Sequence, residues 1–343
     1  MTASLPQEIR DVFEHFVTCE YTTVDAIGQP ITWPVTPYYQ QGGESIDVTT
    51  GVGYPKKADD AARHPAVSLL FSDPTGSGMH APARVLVQGI ADVDERDLGA
   101  NRERYWRESA EKLPATVERH PPKVLRGMLD WYYARIYVHV RPERVFVWAG
   151  GDSSSEPELF DSHMEEVQSG HMEPSAIEPS PAGADAKRSS RRLMEEEPPE
   201  PVPPRADFEP VWDQRMGELA ERHETAVVSW HGPDGFPISI RLPVRPDASA
   251  RRIRLLAEPA GLPLVEGPAC LVAHRHPPDF SWQENFQIRG RLVREPEGWA
   301  LVPRKLIGGF ELPDESQLAI LRRNFAKARR FRKIYKQRVN RSG

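Results

Sequence analysis

Short stretches in which apolar and polar residues alternate, separated by turns, dominate the first half of the chain. Alternation with a period of two places every second side chain on one face and is typical of half-buried β-strands. It predicts strands at 17–25, 31–39, 46–48, 67–71, 84–93, 136–139 and 144–148. Helical periodicity predicts helices at 6–16, 97–112 and 121–133. Many short strands with few helices favour an antiparallel barrel.

The second half of the chain repeats this order of elements. A predicted helix at 208–223 precedes predicted strands at 225–230, 238–244, 252–257, 269–274 and 287–293. The turn Gly28-Gln29-Pro30 recurs as Gly235-Phe236-Pro237, an offset of 207 positions (235 − 28). A repeated order of elements with matching turns indicates an internal duplication. We therefore predict a mainly β (α+β) fold of two tandem barrels with flanking helices.

The segment between the two halves has a different composition. Residues 151–206 are rich in Pro, Ser and Glu and poor in aromatic residues, which predicts a disordered linker. The predicted units are accordingly 1–150, 151–206, 207–312 and 313–343. A basic patch at 187–192 is interpreted either as a phosphorylation or partner site or, as we favour, as solvated linker charge.

The C-terminal tail is strongly basic. Residues 314–343 carry apolar residues at helical spacing and many Lys and Arg between them, which predicts a basic helix. Such a helix is a candidate to meet nucleic acid, a membrane surface or another anionic partner. The alternative is a helix that packs on its own barrel and balances the acidic linker. We favour the alternative and expect no membrane partner, and nucleic acid is kept only as a minor candidate partner of this tail.

Composition limits the class of protein. The 343 residues carry a net charge of −6, which gives no overall attraction to nucleic acid. Cys19 and Cys270 are the only cysteines, so neither a disulfide framework nor a cysteine-rich metal site is expected. The N-terminus lacks the pattern of a signal peptide, and no apolar run is long enough to span a bilayer. We expect a soluble, cytoplasmic protein.

The stretch 45–71 carries the clearest candidate chemistry. Gly51 and Gly53 follow a predicted strand, and Lys56 and Lys57 precede a short helix. Backbone N–H groups, a helix N-terminus and an ammonium group together can bind a phosphate. The alternative is an ordinary connection with two exposed lysines. The equivalent loop at 258–268 has no Lys or Arg, so we expect the second copy to have lost its own phosphate site and to act as scaffold, interface or substrate wall.

Other candidate chemistry is sparse. No Ser/His/Asp order indicates nucleophilic catalysis, so the catalytic residues stay unassigned. His274 and His276 can share one face of a predicted strand, as a pair of metal ligands would. No third ligand is evident, and we predict no metal site. The other histidines considered, which are His80, His139, His163 and His171, have no clear partners.

The motifs of the first half, taken together, resemble a known family. They are Gly-Gln-Pro-Ile-Thr-Trp-Pro-Val at 28–35, Ile-Asp-Val-Thr-Thr-Gly at 46–51, Lys57, Arg-His-Pro-Ala-Val-Ser-Leu at 63–69 and Val-Gln-Gly-Ile-Ala at 87–91. This ensemble is similar to the pyridoxamine 5′-phosphate oxidase-like split β-barrel family, well over 5–150 and weakly over 207–312. The resemblance implies two tandem split β-barrels.

The resemblance also implies a cofactor and a reaction. The cofactor is FMN or a deazaflavin (coenzyme F-420), whose ring transfers hydride to or from a small-molecule substrate. The phosphate is assigned to Thr49, Thr50 and Lys57, with Lys56 as helper, and the ring to Pro34, Val35 and Thr36. Where the family commonly carries a basic residue before the lysine, this chain has Tyr54 and Pro55. The predicted function is that of a flavin- or deazaflavin-dependent oxidoreductase.

The assembly and a second function stay open on the same resemblance. Many members bind cofactor at a homodimer interface, so we expect either a homodimer or an intrachain pseudo-dimer. In a pseudo-dimer the second barrel would complete the pocket, with Trp282, Gln283 and Arg289 as candidates for that wall. The alternative function is a non-catalytic or regulatory binding protein on the same fold. Haem is considered as well, because the fold is also used by some haem-degrading proteins.

Overall fold

The computed structural model describes residues 5–40, 42–114, 130–161, 209–308 and 329–339. Within these ranges the chain forms two β-sheets with short helices against them. The first sheet contains β1 Cys19–Val24, β2 Pro30–Val35, β3 Tyr38–Tyr39, β4 Ile46–Gly51, β5 Ala66–Phe71, β6 Arg84–Asp94, β7 Arg135–Trp148 and β8 Glu158–Asp161. The second contains β9 Thr225–His231, β10 Pro237–Asp247, β11 Arg252–Leu255, β12 Gly267–Arg275, β13 Glu284–Glu295 and β14 Gly298–Gly308.

The helices flank the sheets. They are α1 Gln7–His15, α2 Lys56–Arg63, α3 Leu98–Lys112, α4 Asp130–Tyr133, α5 Gln214–Gly217 and α6 Leu219–Arg222, followed by α7 at residues 329–339. A 3-10 turn at Ala149–Gly151 follows β7. None of the helices within the described ranges is both long and apolar enough to cross a bilayer.

Strand order confirms the mainly β prediction. The first sheet runs β2-β1-β5-β6-β7-β4-β3, with β8 beside β7. The second closes into a barrel in the order β10-β11-β14-β13-β12-β9. The first sheet with its helices is called the first barrel below, and the closed sheet the second barrel. Alternate side chains of the first sheet, among them Val48, Leu69 and Ile136, pack with Val12 and Phe13 of α1 in one apolar core.

Matching β-bulges show the duplication directly. In β6, Gly89 faces Pro142 at a register shift, with one extra residue, Glu143, in the opposite strand. In β13, Gly290 faces Pro303 at the same kind of shift, with Arg304 as the extra residue. A side chain at either glycine would overlap a backbone carbonyl oxygen, that of Arg141 or of Val302. Both halves therefore need glycine at the bulge.

The two sheets meet within the chain at a cluster of four hydroxyl groups. Thr32 lies 2.6 Å from Ser229, and Thr22 lies 2.8 Å from Ser239, measured between side-chain oxygens. Ser229 and Ser239 follow Thr22 and Thr32 by the same 207 positions (229 − 22 and 239 − 32). Leu70, Leu86 and Trp148 of the first sheet join the apolar core of the second barrel. The duplicated halves thus pack about an approximate two-fold axis.

Several elements differ from the sequence predictions. Residues 136–139 and 144–148 belong to one 14-residue strand, β7, because the polar residues between them form the bulge. The helix predicted at 208–223 is reduced to α5 and α6. Residues 151–161, expected in the disordered linker, form a turn and strand β8. The rest of the predicted linker lies outside the described residues.

Helix α3 is held on the outer face of β4 and β7 by a chain of polar contacts. Arg104 donates to Asp47 at 2.5 Å and to Glu108 at 2.7 Å, and its guanidinium lies 4.2 Å from the centre of the Tyr137 ring. His139 Nδ1 lies 2.8 Å from the other oxygen of Asp47. This hydrogen bond raises the pKa of His139. Burial alone would raise the pKa of Asp47, but the bonds to His139 and Arg104 hold it below its usual value.

We expect the stability of the first barrel to fall as the pH rises through the raised pKa of His139. The folded state holds this proton more tightly than the unfolded state, where the pKa is near 6.5. The stabilisation is complete below that value and is lost above the folded pKa. Asp47→Asn removes the bond that raises the pKa, so its unfolding should depend less on pH. Urea titrations at several pH values measure this, and identical pH profiles for wild type and variant would contradict the assignment.

Helix α7 packs on the first barrel. The Phe331 ring lies 5.6 Å from the Tyr54 ring and 5.2 Å from the Trp131 ring. Tyr335 packs against the first apolar core, and Arg338 pairs with Asp59 at 2.7 Å and with Glu95 at 2.5 Å. The described part of the basic tail therefore packs on its own barrel, and the rest of the predicted helix lies outside the described residues.

Candidate functional site

The two neighbouring lysines at the start of α2 have different surroundings. Lys56 Nζ lies 2.7 Å from Asp60 Oδ2, and half of its side chain is exposed (50 %). Lys57 is partly buried, and within the described residues its ammonium has no hydrogen bond and no ion pair. Successive side chains of a helix point about 100° apart, so the two lysines face different directions. Lys57 is the one left to bind an anion, and the helper role predicted for Lys56 conflicts with its ion pair.

A second cation lies close to Lys57. Burial and the nearby charge of Arg135 lower the pKa of Lys57 to about 8. Arg135 begins β7 opposite Gly51, and only 6 % of it is exposed. Its guanidinium donates to the hydroxyl groups of Tyr54 at 3.0 Å and Tyr105 at 2.8 Å. Two neighbouring cations repel each other, and an anion between them would relieve that repulsion.

The glycine loop does not provide the backbone donors that the sequence predicts. The N–H groups of Val52, Gly53 and Tyr54 already donate to the carbonyl oxygens of Ala134, Trp131 and Gly51, at 3.0, 3.0 and 2.9 Å. The Thr50 hydroxyl donates to the Tyr54 carbonyl at 3.0 Å. Thr49 lies on the other face of β4, opposite Tyr137, so Thr49 and Thr50 do not converge on one ligand. An anion here would depend on side-chain cations and on the start of α2, and not on the N–H groups of residues 52–54.

The three residues assigned to the cofactor ring do not share a face. Val35 is 9 % exposed and belongs to the apolar core of the first sheet. Pro34 points to the opposite face because side chains alternate along a strand. It pairs with Glu20 on the face that meets the second barrel. Thr36 follows the end of β2 and is partly exposed. Pro34 and Thr36 remain candidates, whereas the Val35 side chain is directed into the core.

Cys19 lies between the two groups of predicted residues. It pairs with Val35 in the β1–β2 ladder. Burial raises the pKa of its thiol well above the usual value, and the charges of Lys112 and Lys57 act in the opposite direction. The strand end assigned to the cofactor ring and the lysine assigned to the phosphate therefore both lie close to Cys19.

The second barrel carries an ion network at the equivalent place. Arg241 occupies the position of Pro34 (34 + 207), and it donates to Glu20 at 2.6 Å and to Ser72 at 2.8 Å. His274 Nε2 lies 2.6 Å from the same Glu20 oxygen, and the two side chains are 0 % and 1 % exposed. Burial acts to raise the pKa of Glu20, but the Arg241 charge and the His274 bond hold it below its usual value. This network fills the place in the second half that is equivalent to Pro34 in the first.

The histidines considered as a metal pair have other partners. His274 contacts Glu20, as described above, and His276 Nε2 lies 3.0 Å from the Thr18 hydroxyl while its Nδ1 lies 3.0 Å from the Pro277 carbonyl oxygen. Both rings thus bridge the two barrels instead of facing a common ligand. His139 bonds to Asp47, whereas His163 and His171 lie outside the described residues.

The three residues predicted for the pocket wall have different environments. Arg289 donates to Gln287 at 2.6 Å. Burial lowers its pKa, and the carboxylates of Asp25 and Asp60 in the first half act against that shift. Trp282 is 41 % exposed and stacks with Arg275 at 5.7 Å, and Gln283 is partly exposed. Arg289 is the wall candidate that faces charged groups of the first barrel.

Three residues of this region were not predicted from the sequence, namely Arg135, Arg241 and Glu20. Arg135 is a single basic residue before an apolar run, and only the pairing of β7 with β4 brings it to the lysine loop. Arg241 and Glu20 are 221 positions apart. The offset of 207, applied to Pro34, would have found Arg241.

Comparisons with known proteins give structural similarity alone. No protein-family model matches the chain, and no curated protein matches it. General stress protein 26 from Bacillus anthracis aligns with 15 % identity over 45 % of this chain and 96 % of its own (TM-score 0.31). A protein of the pyridoxinephosphate oxidase family from Clostridium acetobutylicum aligns with 12 % identity over 46 % and 94 % (TM-score 0.32). An F-420 reductase aligns with 19 % identity over 41 % and 98 % (TM-score 0.31).

The fold expected from the sequence resemblance is confirmed. The strand order of each half and the matching bulges define two similar sheets in one chain. Both halves have the mainly β, split-barrel arrangement that the sequence predicts, present in two tandem copies.

Proposed function

We propose that this chain binds the phosphate of FMN or a deazaflavin in the first barrel, beside Lys57 and Arg135, and acts as an oxidoreductase. The observation that carries the proposal is the Lys57 ammonium, which is partly buried beside a second cation and has no counter-ion within the described residues. Placing a cation in such surroundings is unfavourable unless an anion accompanies it. A phosphate ester supplies that anion.

The residues present fit the phosphate end of such a cofactor. Arg135 brings a guanidinium from β7 to the loop where Tyr54 and Pro55 replace the basic residue common in the family. Arginine and lysine together are well suited to a phosphate, the first as a planar fork and the second as a point charge. The cofactor, when bound, supplies the hydride chemistry. Lys57 and Arg135 would hold its phosphate, and Pro34 and Thr36 would border its ring.

The second barrel would act as the wall of this cleft instead of a second cofactor site. Its loop at 258–268 has no Lys or Arg. Its Arg241 forms an ion pair with Glu20. Arg289 and Gln287 of β13 face the first barrel, where they would limit access of water and of the small-molecule substrate.

Lys57→Ala should weaken the binding of FMN or of coenzyme F-420 by at least about tenfold, since a charged hydrogen bond to phosphate contributes roughly 1.5–3 kcal/mol. Lys56→Ala should leave affinity nearly unchanged, because that lysine pairs with Asp60. Titration of the purified chain, followed by cofactor fluorescence, measures both variants. Equal losses in the two variants would contradict the assignment to Lys57.

The same titration is repeated at several pH values. Lys57 is charged below its pKa of about 8, so affinity should decline as the pH rises above that value. The decline should be absent in Lys57→Ala. Failure of the wild type to bind either cofactor would reject the proposal. Binding without any reduction or oxidation of tested substrates would favour the non-catalytic alternative on the same fold.

A further inference from the structure

The exposed face of α7 is rich in cations. Six of the eleven residues at 329–339 are Lys or Arg and none is acidic. At about 100° per residue, Arg329, Arg332, Lys333 and Lys336 fall within an arc of about 100°. All four are exposed and line one shallow groove together with Gln337. We name these five residues the basic face.

The opposite side of the helix fixes the basic face in place. Phe331 and Tyr335 point to the barrel, where Phe331 packs on Tyr54 and Trp131. Arg338 forms ion pairs with the carboxylates of Asp59 and Glu95. Within the described residues no carboxylate contacts Arg329, Lys333 or Lys336. The chain therefore keeps a local positive surface although its net charge is −6.

The chemistry of the basic face selects one kind of partner. A protein interface usually has aromatic or aliphatic anchors at its centre, and a membrane-bound helix inserts apolar residues. The groove offers neither, because its lining consists of four cations and one amide. A uniform line of positive charge instead matches a polymer with one negative charge per repeat unit.

We propose that the basic face binds the phosphate backbone of nucleic acid without reading its sequence. The cations at 329, 333 and 336 rise along the helix by about 6 and 4.5 Å, so the basic face extends over several phosphates of a strand, which follow one another about every 3.4 Å along the axis. The aromatic residues of α7 face the barrel, so none is available to stack on bases. Binding therefore depends on charge alone. It is independent of the cofactor proposal.

The test uses the full chain and a fluorescein-labelled duplex DNA of mixed sequence, with fluorescence anisotropy as the readout. Three neutralised phosphates, one each for Arg329, Lys333 and Lys336, give a slope of log affinity against log salt near −2.7, which is roughly a 40-fold loss between about 50 and 200 mM salt. The variant R329E/K333E/K336E should lose at least about tenfold in affinity at low salt and most of this slope.

A matched variant separates a local site from net charge. R245E/R251E/K305E changes three exposed cations of the second barrel and gives the same net charge, −12 (−6 − 6). It should retain most of the wild-type affinity. The neutral variant R329Q/K333Q/K336Q is tested as well. Its unchanged thermal unfolding would show that substitutions at these positions do not disturb the fold. Absence of wild-type binding at low salt, or equal losses in the two charge-reversal variants, would overturn the proposal.

Discussion

Glu20→Gln lowers the free energy of unfolding by about 3–5 kcal/mol, because it leaves a buried guanidinium without its counter-charge. Glu20 is 1 % exposed and accepts from Arg241 and Ser72, and His274 lies 2.6 Å from the same oxygen. These partners come from both barrels, so the substitution weakens the contact between them. Urea unfolding followed by tryptophan fluorescence measures the loss.

Two comparisons make this result specific. The exposed pair Arg294–Glu258, with side chains 53 % and 58 % exposed, provides a control, and Glu258→Gln should change stability by less than about 1 kcal/mol. In the double variant Glu20→Gln/Arg241→Met the stranded charge is gone, so part of the stability should return. A loss at Glu20 no larger than that at Glu258 would show that the network does not join the barrels.

Gly290→Ala and Gly89→Ala should each destabilise the chain by more than about 4 kcal/mol, which places them among the most damaging single substitutions. In both, the added methyl group overlaps a backbone carbonyl oxygen of the neighbouring strand, which cannot move aside as a side chain would. The strands would have to separate at the bulge. Thermal unfolding of the two variants measures the effect.

Gly217 provides the matched control. It lies in α5 with nothing within 4 Å of the position of its Cβ. Gly217→Ala should be neutral or stabilising by up to about 1 kcal/mol. Wild-type-like stability of Gly89→Ala and Gly290→Ala would mean that the two bulges are not rigid features of the sheets.

The architecture was largely predictable because local patterns of apolar and polar residues determine its strands. Alternation located most strands, and the offset of 207 identified the halves whose Thr22 and Ser229 meet at the centre. The break predicted within β7 arose from Arg141, Pro142 and Glu143, whose polarity indicates a loop. In the structure they form the bulge, which only the neighbouring Gly89 makes possible.

The site was less predictable because its contacts connect distant parts of the chain. Lys57 has a local sequence pattern, whereas Arg135 reaches it through the pairing of β4 with β7. The glycine loop suggested free backbone donors, but carbonyl groups at 131 and 134 accept from two of them. Strand alternation could have separated Pro34 from Val35, since adjacent residues cannot both face a ligand.

Equivalent positions of the two halves carry different residues: Pro34 corresponds to Arg241, and Glu20 corresponds to Val227. This difference affects how the interface between the halves can evolve. In a homodimer every substitution appears in both copies, so an arginine at position 34 and a glutamate at position 20 would form this ion pair twice. Here the equivalents are separate codons of one chain, and Arg241 opposes Glu20 at 2.6 Å while Pro34 and Val227 hold the mirrored places. Covalent duplication has released the interface from symmetry, so one half can lose chemistry that the other half keeps.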